Sequence, residues 1–264
     1  MSIIYWTFFF LLGLIIGSFL NSIVYRLEKK ESIVIKRSYC PFCKKVLSWF
    51  ELIPLMSFIF QKGRCRNCNK KISYQYPLVE LATGILFLLI FNFSAQGGSA
   101  AGWQFLISTV FLIFVVSCLI VIFIYDLKHY IIPNQVVYSG IVVGLLYQVY
   151  LLFLGRDLSV YYNILSTIFV GALFLGLILI SKGKTMGLGD FKLVIFMGLI
   201  LSWPKILVAL FLAFVVGALI SVILIIFKKK GLKSQIPFGP FLTGATIVAL
   251  FWGDILINWY LGFL

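Results

Sequence analysis

Long apolar runs separated by short polar breaks dominate this chain. They cover about residues 3–25, 78–96, 103–125, 131–154, 160–180, 191–203, 205–227 and 237–261. A helix needs roughly 20 mostly apolar residues to cross the hydrocarbon core of a bilayer, and most of these runs approach or exceed that length. The run at 191–203 is short, so its ends and its pairing with the next run are the least defined. In lipid a segment must satisfy its own backbone polar groups, which leaves helices as the way to build such a chain. The pattern predicts an all-α polytopic membrane protein of about eight transmembrane helices. It divides into a first transmembrane helix in 1–25, a polar loop in 26–77 and the remaining spans in 78–264.

Composition fixes the class. The 264 residues are 62% hydrophobic and 11% charged, with a mean hydropathy of +1.10, which is too little polar material to cover a water-soluble domain. The net charge of +14 would suit nucleic acid, but its distribution follows topology instead. Residues 26–77 hold twelve Lys and Arg, from Arg26 through Lys36 and Arg37 to Lys71. Lys128 follows span three, Lys182, Lys184 and Lys192 lie near 181–192, and Lys228, Lys229, Lys230 and Lys233 lie near 228–233. With the N-terminus outside, these twenty face the cytoplasm against Arg156 and Lys205 outside, the split of the positive-inside rule. Anionic lipid head groups suit the same charges. No nucleic-acid partner is needed to explain them. Residues 1–25 lack a basic n-region and a small-residue cleavage site, so the first span is expected to be retained.

Two acidic residues stand out against this background. Asp126, in Val121-Ile-Phe-Ile-Tyr-Asp126-Leu-Lys-His-Tyr-Ile-Ile-Pro133-Asn134, ends span three, and Asp190, in Gly187-Leu-Gly-Asp190-Phe-Lys192, opens span six. An ionisable group beside hydrocarbon is costly and marks a functional site, and two carboxylates that share a proton can run acid and base chemistry together. The topology puts both at the cytoplasmic side, so 64 intervening residues do not keep them apart. Gly187 and Gly189 let backbone turn sharply and come close to another chain, as an extended peptide substrate requires. This Gly-x-Gly lacks the third glycine and the βαβ unit of a dinucleotide site. Asp157 and Asp254 lie at outer boundaries without a motif and read as head-group contacts. Glu80, just inside span two, is a candidate to line a cavity.

The loop carries a second constellation, Cys40-Pro-Phe-Cys43 and Cys65-Arg-Asn-Cys68, whose spacing is close to that of a four-thiolate zinc ribbon. A reducing cytoplasm disfavours disulfides there. Four sulfur ligands leave no open position for water or substrate, so the zinc would be structural. Free or redox-active thiols are the alternative. The stretch Trp49 to Leu55 is partly apolar and too short to span, and is expected to pack on the membrane surface or on the knuckle. Cys118, mid-span, reads as a packed apolar residue. His129, three residues after Asp126, has no histidine partners and reads as a surface group. No Gly-x-Ser-x-Gly elbow, His-Glu-x-x-His or Walker loop occurs.

In order along the chain, Gly17-Ser18-Phe19-Leu20-Asn21 with Tyr25-Arg26-Leu27, the paired cysteines, Glu51-Leu-Ile-Pro-Leu55, Gly63-Arg-Cys65, Tyr76-Pro-Leu-Val-Glu80-Leu81, Asp126 to Pro133, Gly187 to Lys192 and Pro237-Phe-Gly-Pro240 resemble the signatures of type IV prepilin peptidases. The resemblance runs from about residue 12 to 255. It implies a membrane aspartyl protease of the Gly-x-Gly-Asp type, with Asp126 and Asp190 as the catalytic aspartates and residues 78–264 as its core. Such enzymes cut the leader from prepilins and from pilin-like secretion or competence proteins at the cytoplasmic face of the bacterial inner membrane. Many also methylate the new N-terminal amine with S-adenosylmethionine, and Glu51, Gly63 and Glu80 are the positions that match candidates for that step. Asn134 stands where many relatives carry Asp, which favours Asp126 as the catalytic carboxylate. A multi-pass transporter with intramembrane carboxylates is the rival reading, although no internal repeat supports it. Which client is cut, and the oligomeric state, are open at this level.

Overall fold

The structure, a computed structural model, describes residues 3–32, 37–96, 102–181, 186–227 and 236–263. Lys36, Lys182, Lys184, Lys228, Lys229, Lys230 and Lys233, counted above among the inner charges, lie outside the described residues. The chain forms two compact units, Met1–Val121 and Ile122–Leu264.

The first unit holds α1 (Ile3–Lys29), a 3-10 turn (Trp49–Leu52), α2 (Met56–Phe60), α3 (Gln75–Gln96) and most of α4 (Trp103–His129). Small residues let α1 and α3 touch along their backbones. A Cβ on Gly13 would lie 2.7 Å from the Gly84 Cα, and one on Gly17 would lie 2.8 Å from the Glu80 Cα. Such close approach is what drives helix association in lipid, where apolar burial gives no net gain. Asn21 finishes the seam: its amide donates to the carbonyls of Gly17 and Tyr76, and Gln75 donates to its Oδ1 at 3.2 Å. The Gly-Ser-Phe-Leu-Asn signature is thus, in large part, a packing device. Cys118 is buried in α4, as expected of a packed residue.

The second unit takes the end of α4 and adds α5 (Asn134–Phe153), α6 (Asp157–Ile180), α7 (Leu188–Ile200), α8 (Lys205–Ile226) and α9 (Gly239–Leu261). α7 packs against both α5 and α6, and α8 packs against α9. Six residues of α7, from Leu193 to Leu199, are buried. Asp157 opens α6, while Asp254 pairs with Lys205 at 2.6 Å.

All eight expected spans are helical, but their ends differ from the apolar runs. Seven helices are long and apolar enough to cross a membrane. α7, with 13 residues, is not among them; it rises about 20 Å against a hydrocarbon core of about 30 Å. It also sits three residues earlier than the run at 191–203, because Asp190 caps its start and Pro204 disfavours helix in the residue before it. α4 continues past residue 125 to His129, where Lys128 and His129 suit the negative end of the helix dipole. Asp126 therefore lies inside the last turn and not at the end of the helix.

A short helix that stops within the membrane exposes carbonyls that need donors. Gln148 of α5 supplies one to the Leu199 carbonyl at 2.7 Å, and Asn163 of α6 donates to Gln148 Oε1 at 3.2 Å. Replacing Gln148 with Leu should lower the stability of the detergent-solubilised protein by about 1 kcal/mol. Denaturant titration of the purified variant checks this; an unchanged midpoint would mean the carbonyl has another donor.

Candidate active site

Asp126 is buried, and its Oδ2 accepts the backbone N–H of Gly239 at 3.0 Å. Gly239 is the first residue of α9, so the positive end of that helix meets the carboxylate. No other residue fits at this position. A Cβ there would stand 2.5 Å from Asp126 Oδ2 and 3.1 Å from its Cγ. The flanking Pro237, Phe238 and Pro240 carry the chain into this contact.

Asp190 lies in the first turn of α7 and accepts the Gly187 N–H on its Oδ2 at 3.1 Å, so it caps its own helix. Its charge is within Coulomb range of Asp126. Gly189 brings the α7 start against the segment before α5, where a Cβ would meet Ile132 at 3.2 Å. Lys192 then reaches Asn134 at the start of α5, donating to its Oδ1 at 3.0 Å, and lies 5.0 Å from the centre of the Tyr138 ring. Each carboxylate thus gives one oxygen to a backbone donor and keeps the other for a proton or a water.

Of the residues named from sequence, Asp126 and Asp190 lie within Coulomb range of each other, and Gly187 and Gly189 lie at the start of α7. Sequence reasoning did not single out the Gly239 N–H or the contact of Lys192 with Asn134. Pro237-Phe-Gly-Pro240 was visible as a motif, but a backbone N–H has no signature of its own. His129 packs its ring against Tyr125, 4.6 Å between centres.

The cysteines of the first unit also meet. Four sulfurs, from Cys40, Cys43, Cys65 and Cys68, lie within 4.8 Å of one another, with Cys40 and Cys68 3.9 Å apart. Tetrahedral zinc with bonds of about 2.3 Å places its sulfurs about 3.8 Å apart, so the set fits the ion. The two knuckles repeat one design. Cys40 N–H donates to Lys45 O and Cys65 N–H to Lys70 O, both at 2.9 Å, and Lys44 and Asn69 take matching positive φ values of 59° and 58°. The Asn67 side chain and the Lys45 backbone bring the Cys43 thiol down to about 6, and backbone N–H groups of Cys68 and Asn67 also lower that of Cys65. Cys68, despite the Lys70 backbone, is pushed up to about 11 by burial and by hydrogen bonds to the other thiols.

The remaining three candidates serve the loop between the knuckles. Glu51 accepts the Ser48 N–H at 2.9 Å, which caps the 3-10 turn and holds its carboxyl below the usual range. Glu80 is buried, and its Oε2 accepts the Leu55 N–H at 2.8 Å. Gly63 takes a φ of +65° and sends its N–H to the Phe58 carbonyl at 2.9 Å.

Known proteins match this arrangement in both parts of the chain. The model of the bacterial peptidase A24 N-terminal domain covers residues 11–93, including all four cysteines, and that of the type IV leader peptidase family covers residues 113–222, including both aspartates. A prepilin leader peptidase/N-methyltransferase of Bacillus subtilis is 32% identical, covering 96% of this chain and 96% of its own. One from Legionella pneumophila is 31% identical over 96% of this chain and 93% of its own, and one from Aeromonas hydrophila is 30% identical over 98% and 94%. No solved structure matches the chain. Aligned with these relatives over nearly its whole length, this multi-pass membrane protein belongs to the prepilin leader peptidase/N-methyltransferase family.

Proposed function

We propose that the chain removes the leader of type IV prepilins or pilin-like proteins, with Asp126 and Asp190 as its catalytic pair, and then methylates the new N-terminal amine. The observation that carries the peptidase half is the pair itself: two carboxylates within Coulomb range, each steadied by one backbone N–H. Residues 78–264 are its protease core and 26–77 its metal-bearing loop. The site faces the cytoplasm of a bacterial inner membrane, with the N-terminus outside. A transporter is not favoured, since the relatives carry peptidase names.

The chemistry follows from the second oxygens. A pair sharing one proton offers a base and an acid at one place. The ionised member takes a proton from water as that water attacks the scissile carbonyl, while the protonated member donates to the carbonyl oxygen. Collapse of the tetrahedral adduct breaks the C–N bond, and the departing amine takes a proton from the pair. Gly187 and Gly189 give the extended substrate backbone room to approach. The substrate's apolar helix stays in lipid.

The four cysteines would hold a zinc ion that folds the loop and leaves no coordination position for chemistry. For methyl transfer, S-adenosylmethionine supplies an electrophilic methyl on a sulfonium cation. Such a donor and an amine acceptor call for carboxylates, and in the described residues 37–96 these are Glu51 and Glu80. With Gly63 they remain the candidate residues for that step.

Asp126→Asn and Asp190→Asn should each lower leader cleavage by roughly 10²- to 10⁴-fold, and the double variant should be little worse than either. Mass spectrometry of a prepilin incubated with the purified protein and S-adenosylmethionine reads both leader loss and methyl gain. Cleavage at the unmutated rate by either single variant would remove that residue from the pair. Gly239→Ala should cost roughly a hundredfold in the same assay by displacing Asp126, without a matching loss of thermal stability. Elemental analysis should find about one zinc per chain, reduced in Cys40→Ser and Cys65→Ser; equal metal content in all three proteins would point to free thiols instead.

A further inference from the structure

The segment between the two cysteine knuckles turns large apolar side chains outward. Trp49 is 78% exposed, Ile59 65% and Phe60 77%, and Ile53 and Met56 are exposed beside them. So many exposed apolar side chains within twelve residues of a polar loop need a cover. The Glu80 contact says where that cover lies. Glu80 stands five residues into α3, a helix long and apolar enough to span the membrane, and its carboxylate holds the Leu55 N–H. Five residues of helix rise about 8 Å, so Ile53, Leu55 and Met56 are tied beside the first turns of a span. That is the depth of the boundary between head groups and acyl chains.

The local backbone is shaped for this pin. Leu55 takes φ 59° and ψ −51°, and Met56 N–H donates to the Pro54 carbonyl at 2.6 Å. This is a γ-turn of the strained, positive-φ kind, which persists only where surrounding contacts enforce it. Charge completes the pattern. Lys45, Lys62, Arg64 and Arg66 flank the apolar residues, and the Arg66 guanidinium lies 5.0 Å from the centre of the Phe50 ring. Apolar side chains rimmed by cations are the composition of an element that rests in an anionic membrane surface.

We infer that residues 49–60 form an interfacial membrane element, seated at the acyl boundary of an anionic leaflet and pinned at that depth by Glu80. A bilayer fits better than a protein partner, because α1 and α3 hold both ends of the loop at the membrane permanently. The metal-bearing loop is then a membrane-seated body and not one projecting freely into water. This inference stands apart from the peptidase and methyl-transfer readings.

The test uses the full-length protein in vesicles of phosphatidylcholine and phosphatidylglycerol that carry bromine on the acyl chains, either near the carbonyl or near the terminal methyl. Emission lost between the unmutated protein and Trp49→Phe isolates the Trp49 signal. That signal should fall roughly twofold with shallow bromine, more than with deep bromine, as expected for a side chain at the interface. Glu80→Ala should abolish the shallow quenching, whereas Glu80→Gln, whose amide oxygen can still accept from Leu55, should retain it. Circular dichroism and metal content confirm that both variants are folded. A Trp49 signal blind to both bromine positions but open to aqueous iodide would overturn the inference. So would protection from iodide that appears only when prepilin is added, which would make the patch a protein-docking surface. Equal quenching in Glu80→Ala and the unmutated protein would remove Glu80 as the pin.

Discussion

A carboxylate at the edge of hydrocarbon is costly unless something donates to it, and four times in this chain that donor is a backbone N–H. Gly239 serves Asp126, Gly187 serves Asp190, Leu55 serves Glu80 and Ser48 serves Glu51. A lysine or arginine partner would hold each acid more strongly, but would fix it as a salt bridge and consume its charge. Backbone donors steady one oxygen and leave the other for use. Side-chain ion pairs occur at Asp254 with Lys205 and at Glu28 with Lys29, where water reaches the acid and shares the burden. Helix positions follow from this rule: α9 must begin at Gly239, and α7 must begin just after Gly187.

The same rule sets the limit of what the sequence reveals. Helices were legible because lipid permits almost nothing else, and the aspartates and paired cysteines were legible because charge and thiol are scarce in an apolar chain. The ends of helices were less so. An apolar run does not register that Asp190 caps α7 before the run begins, or that Lys128 and His129 prolong α4 beyond it. Gly239 was hidden for a different reason. Its contribution is an N–H that every residue but proline has, together with the absence of a Cβ, and neither produces a spacing. The contact of Lys192 with Asn134 joins residues 58 apart and depends on helix packing that no local pattern encodes.

In the first unit, polar residues play a structural part that composition alone would assign to chemistry. Asn21, Gln75 and Glu80 close a seam between helices that glycines have already drawn together, and they tie the four-cysteine loop to it. The two knuckles show economy of design, since one turn with one left-handed residue is used twice. A divalent ion bound by thiolates would override the opposite shifts of Cys43 and Cys68.

The shortness of α7 bears on how the protein is made. A segment of 13 residues cannot match the bilayer thickness by itself, so partitioning alone gives it no defined tilt or depth. Its register depends on Gln148 and Asn163, which belong to helices synthesised before it. The place of Asp190, at the start of this helix, is therefore set late in biogenesis, when a helix that could not insert upright alone finds a berth already built.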